Sequence, residues 1–191
     1  MIQRIREASP RLKASLAGVF YLMAVLSAAF AESFVRGRLL YAVGLIPVAS
    51  FAVVTVLLWQ LLKPVNSNLA WLAALSNLFG LMLEAFEWHF RGVNIALAFH
   101  GLYCLLVGYL VFRSAFLPRI LGVLMAVGGL AWLTDLSIPL TDQLSPYNVI
   151  TGFLGEGLTM LWLLAIGVNS ERSKAQACPK VEGSSVHVPR P

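Results

Sequence analysis

Six residues of this chain could do chemistry where chemistry is costly. Asn77, Glu84, Glu87, His100, Asp135 and Glu156 all lie inside, or at the ends of, long apolar runs. Ionisable side chains within a bilayer face the bundle interior or a water-filled cavity, and they mark ligand, ion or proton sites. Asn77, Gly80, Glu84 and Glu87 follow one another at steps of three and four residues, so they share one helix face. His100, Tyr103 and Cys104 share a face in the same way. Gly152, Gly155 and Gly157 surround Glu156, where they let another backbone or a ligand come close. Histidine and carboxylates suit zinc, so Glu84, His100 and Glu156 are the ligands if a metal binds. No spaced ligand motif requires one, and CxxC, HExxH, Walker A and GxGxxG patterns are absent. A glutamate or histidine hydrogen-bonded across helices would need no ligand at all, and this packing reading stands beside the functional one.

The elements that must position these residues follow from composition. Of 191 residues, 59% are hydrophobic and only 12% charged, with mean hydropathy +0.79. Soluble domains carry roughly 25% charged residues. The long runs here lack the polar stripe that a surface helix shows every turn. The fold class expected is all-α, a six-span transmembrane helix bundle whose partner is the lipid bilayer. Cys104 lies in a span and Cys178 in the polar tail, so no disulfide framework is implied. The basic residues flank spans and do not gather on one face, so no nucleic-acid partner is expected.

Residues 1–13 form a short basic segment, 14–168 the membrane domain, and 169–191 a polar, proline-containing tail read as disordered. Span one runs from about Ala14 to Phe34 and is read as retained, although Ala29-Phe30-Ala31 also has the form of a signal-cleavage site. Span two runs from Leu39 to Leu62 through Pro47, which is expected to kink it. Spans three and four form a hairpin turning at Phe90-Arg91-Gly92, with Asn77, Glu84 and Glu87 on one arm and His100 on the other. Span five is expected over Ile120–Ile138, ended by Pro139, with Gly122, Ala126 and Gly129 suited to close packing. Span six is expected from Tyr147, with Ser145 as its cap and Pro146 in its first turn. Trp71, Trp88, Trp132 and Trp162 read as interface or packing residues.

Six spans put both termini on one side. Arg4, Arg6, Arg11, Lys13, Lys63, Arg113, Arg119, Arg172, Lys174, Lys180 and Arg190 fall on that side, and only Arg36, Arg38 and Arg91 on the other. The positive-inside rule then places both termini in the cytoplasm. In that orientation the inner halves of the spans carry no acid. Glu32, Glu84, Glu87, Asp135 and Glu156 all sit in the outer half or near mid-depth. Asp135, near a helix C-terminus, is expected to pair with an outer arginine. Haem is not expected, because its axial ligands must meet one iron from opposite sides. His89 and His100 differ in depth by roughly 7–10 Å on adjacent helices, and His187 is in the tail.

Particular runs carry a resemblance. AGVFYLMAVLSAAFAESFVRGRL, LLKPVNSNLAWLAAL, FHGLYCLLVGYLVFRSAFLPRILGVL and GFLGEGLTMLWLLAIGV resemble the domain-of-unknown-function 4386 family of bacterial multi-pass membrane proteins. The resemblance covers residues 14 to 168 and is most specific from Phe99 to Leu124, with His100, Arg113, Pro118 and Arg119. It implies a retained first span and a bacterial plasma (inner) membrane. Relatives usually carry a longer segment after the first span, where this chain passes from Arg38 directly into span two. The resemblance brings no reaction and so no catalytic residues. The first expectation for function is a polar pocket in the outer half of the bilayer, holding a small ligand, ion or lipid headgroup from the outer side. The alternatives are an intramembrane metal-dependent enzyme, or a proton-coupled carrier using the same acids and His100. A carrier is disfavoured by the lack of a clear internal repeat, and a bundle with no small-molecule site is the remaining reading.

Overall fold

The computed structural model describes residues 10–34, 38–86, 93–169 and 172, leaving aside the side chains of 32, 34 and 38–42. Among these residues the helices are α1 (Pro10–Phe34), α2 (Arg38–Leu62), α3 (Ser67–Ala85), α4 (Ile95–Arg113), α5 (Arg119–Leu133), the short α6 (Ile138–Leu144) and α7 (Tyr147–Ala165). A 3-10 turn, Thr134–Leu136, follows α5. All but α6 are long and apolar enough to cross a membrane, α5 together with its 3-10 turn (Arg119–Leu136). A 19-residue helix such as α3 rises about 28 Å, close to the hydrocarbon thickness.

Outward-facing side chains agree with that solvent. Leu26, Phe30, Leu75, Ile120, Leu130 and Leu154 are each more than half exposed. Such a belt would be an aggregation surface in water, and in lipid it meets its own kind.

Short connections make sequence neighbours antiparallel. Each of α1 to α4 packs on the next, α5 packs on α7, and α7 returns onto α1. The six long helices therefore close into a ring. Small residues allow the closest approaches. A Cβ added to Gly108 would meet the Gly122 carbonyl oxygen at 2.7 Å, and one on Gly18 would meet the Leu164 nitrogen of α7 at 2.7 Å. With little hydrophobic drive between helices in lipid, such backbone contact is what holds a bundle together.

The two halves of the ring differ. Toward the chain termini it is filled by Ala14, Ala17, Leu57, Leu58, Leu61, Leu62, Val107, Leu110, Val111 and Leu163. The opposite half, between the later part of α1, the start of α2, the end of α3 and the start of α4, is hollow.

Helix ends follow local chemistry, with two corrections. Asn66 caps α3 by accepting from Leu69 N–H at 3.1 Å, and Asn94 caps α4 by accepting from Ala96 N–H at 3.0 Å. Pro139 does not end a span: it sits in the first turn of α6, where its missing N–H would have no partner anyway. α7 is not capped by Ser145, since Pro146 is the cap residue and makes no side-chain cap bond. α2 continues through Pro47, as bilayer helices permit where neighbours compensate.

Candidate functional site

Glu156 lies nine residues into α7, roughly 13 Å along the helix from its start. It is 3% exposed. A carboxylate left bare at that depth costs several kcal/mol, so its partners decide whether the fold exists. Oε2 accepts from the Tyr21 hydroxyl of α1. Oε1 accepts from Trp132 Nε1–H of α5 at 2.6 Å and from the Cys104 thiol of α4 at 3.7 Å. His100 Nε2, also on α4, lies 2.9 Å from Oε1.

Beyond His100 the network continues into α3 and α2. His100 Nδ1 is 3.0 Å from Asn77 Oδ1. Asn77 Nδ2 donates to Thr55 Oγ1 at 2.6 Å, and Thr55 passes its single proton to the Phe51 carbonyl at 2.8 Å. Every one of the six long helices therefore supplies at least one side chain: Tyr21, Thr55, Asn77, His100 with Cys104, Trp132 and Glu156.

The direction of these bonds settles where protons sit. Thr55 has no second proton, so it accepts from Asn77, and the Asn77 oxygen must face His100. Nδ1 of His100 is then the donor. Its Nε2 meets a carboxylate oxygen that already accepts from an indole. Two lone pairs cannot share 2.9 Å, so one proton lies between Nε2 and Oε1. Edge-on contacts from Phe51 and Trp132 hold the imidazole plane, with ring centroids 5.5 and 6.1 Å away.

Above this network lies a cavity of about 640 Å³. Its walls are mainly apolar, from Val25, Leu45, Val48, Phe51, Leu81 and Phe153. Its polar lining comes from Asn77, Glu84, His100, Trp132 and Glu156. Glu84 is exposed and accepts from Asn94 Nδ2 at 3.2 Å. Among the described residues the metal-capable atoms that gather within 4.8 Å of one another belong to His100, Cys104 and Glu156. Glu84 is on the cavity wall but not in that group.

Asp135 lies elsewhere. It sits in the 3-10 turn and accepts from Thr141 Oγ1 at 3.2 Å and Asn148 Nδ2 at 3.3 Å. Among the described residues its partners are thus neutral side chains; the outer arginines expected to pair with it, Arg36, Arg91 and the side chain of Arg38, lie outside the described residues. Glu87 and Trp88 fall outside the described residues. Trp132 is more than a packing residue: it is 7% exposed and binds Glu156. Tyr21 and Thr55 were not singled out from the sequence. Their signal was available, since a hydroxyl in mid-span must find a partner inside the bundle.

The chain is thus a multi-span membrane protein with a buried polar network in its core. The family model described as Domain of unknown function (DUF4386) matches residues 77–167, which takes in Asn77, His100, Cys104, Trp132 and Glu156. A protein of Archaeoglobus fulgidus described as "Uncharacterized protein" is 30% identical over 128 residues, covering 60% of this chain and 75% of the relative. No solved structure matches the chain. The matched segment runs from Asn77, midway along α3, to just past the end of α7, and with that relative it shows that this chain belongs to the DUF4386 family.

Proposed function

We propose that this protein binds a small amphiphile in the hollow half of its ring. The carrying observation is a cavity of about 640 Å³ with apolar walls and one polar floor. Small-molecule sites have this size and this division of labour, a greasy enclosure with few convergent polar groups. The ligand's apolar body lies against Val25, Leu45, Val48, Leu81 and Phe153. Its polar group meets Asn77, His100 and Glu156, with Glu84 nearer the rim. Asp135 and Glu87 are second-rank candidates, the first because its oxygen is already engaged.

The charge bias supports an orientation with both termini in the cytoplasm and the cavity in the outer half of the bilayer. Arg11, Lys13, Lys63, Arg113 and Arg119 flank the filled end of the ring, away from the cavity. Residues 1–13 and 169–191 then lie on the cytoplasmic side. Family resemblance supports a bacterial inner membrane. The proton-coupled carrier is the weaker reading, because the network from His100 toward α2 passes through the Asn77 amide, which cannot relay a proton.

Photolabelling tests the proposal. A monoacylglycerol analogue carrying a diazirine on its chain should label purified protein at cavity-wall residues. Gly44 lines the cavity, and a Cβ added there meets nothing within 4 Å among the described residues. Gly44→Leu should therefore fill the space without unfolding the bundle and should suppress labelling. Labelling confined to the outer belt, or unchanged in Gly44→Leu, would refute the reading.

A further inference from the structure

Three ligand-type atoms from two helices meet under the cavity, and their spacing is that of a coordination shell. His100 Nε2 and Glu156 Oε1 are 2.9 Å apart, and Cys104 Sγ is 3.7 Å from each. Around a tetrahedral zinc, bond lengths of about 2.0–2.3 Å put N and O about 3.3 Å apart, and S about 3.5 Å from either. The existing triangle needs to open by only a few tenths of an ångström along its His–Glu edge. We propose that His100, Cys104 and Glu156 bind Zn²⁺ at the floor of the cavity.

Electrostatics favours this ion at this depth. A divalent cation, one carboxylate and one thiolate sum to zero, so the filled site places no net charge in the bilayer. Binding releases two protons, the one held between Nε2 and Oε1 and the one on the Cys104 sulfur. Zinc forms bonds to the nitrogen, oxygen and sulfur thus freed, and no oxidation state changes. A thiolate with an imidazole and a carboxylate is a ligand set that zinc accepts and magnesium or calcium does not.

The surroundings already match what a bound ion needs. Metal-ligating histidines donate their other ring nitrogen to a fixed acceptor, and His100 Nδ1 does so to Asn77, which is held by Thr55. The carboxylate's remaining lone pairs are oriented by Trp132 and Tyr21. His100 and Glu156 both line the cavity, so the fourth coordination position faces it. Three protein ligands with one open position is the arrangement of zinc sites that take water or a substrate.

The test uses the full chain in detergent, with Cys178→Ser to remove the tail thiol. Titrated Co²⁺ should give visible d–d bands and a near-ultraviolet sulfur-to-cobalt charge-transfer band at one ion per chain, and Zn²⁺ should displace it. Cys104→Ser should abolish the charge-transfer band and weaken binding at least tenfold. Asn77→Leu should weaken it by roughly ten- to a hundredfold through the lost support of His100. X-ray absorption at the zinc edge, read on the Cys178→Ser chain with Cys104 intact, should find one sulfur at about 2.3 Å and nitrogen or oxygen at about 2.0–2.1 Å. Absence of cobalt bands, bands unchanged by Cys104→Ser, or a zinc shell without sulfur would each overturn the site. Photolabelling reads the cavity separately, so metal loss with labelling retained overturns this inference alone.

Discussion

Gly152→Ala puts the site's construction at risk through a single methyl group. The added Cβ would stand 2.5 Å from Trp132 Cε2 and 2.8 Å from both Cζ2 and Nε1. Carbon atoms rest at about 3.5–4.0 Å, so the indole must retreat by about 1 Å. Its bond to Glu156, now 2.6 Å, would then exceed hydrogen-bond range. Overpacking costs about 1–3 kcal/mol, and losing a hydrogen bond to a charged group about 1.5–3 kcal/mol. Opposing both, alanine in place of helical glycine contributes about 1 kcal/mol. The sum is a destabilisation of about 1.5–5 kcal/mol, which for a chain of this size lowers Tm by roughly 3–20 °C. Thermal unfolding in detergent, followed by intrinsic fluorescence, measures it. Trp132→Leu removes the ring, so the double variant should cost about 1–3 kcal/mol less than the two single changes added together. A Gly152→Ala protein as stable as the parent, or more so, would mean that helix propensity decides and that the indole does not lie where the reasoning needs it.

Glu156→Leu should destabilise the protein by at least about 3 kcal/mol, since Tyr21, Trp132 and His100 each lose a buried partner at about 1–3 kcal/mol apiece. Glu156→Gln keeps the shape and one acceptor, and it should cost clearly less in the same unfolding assay; equal losses would show that shape alone matters there. For topology, a periplasmic reporter fused near Gln143 should be active and one fused at residue 191 inactive. Periplasmic activity at residue 191 would sink the orientation.

Local chemistry in the sequence was enough to determine the class of this protein. Apolar runs of about 20 residues match the thickness of a bilayer, and charged residues there are too expensive to occur by accident. The six long helices and the isolation of His100 and Glu156 in apolar helices follow from that, while the family was legible only in the resemblance of particular runs. Helix ends were less legible: Pro139 and Ser145 each admit two roles, and packing of α6 chose between them. What only the tertiary structure decided is which polar groups meet. Tyr21 and Glu156 stand 135 positions apart, and nothing local in either helix says that α7 closes the ring onto α1. Trp132 resembles any interfacial tryptophan until Gly152, on another helix, proves to leave room for its ring over Glu156. Cys104 shares a face with His100 by helical spacing alone, but its place beside Glu156 depends on the α4–α5 and α5–α7 contacts that small residues allow. Spans are set by the exchange of one segment between water and lipid, which a window of sequence contains. A polar network is set by backbone approach between helices, which no single window contains.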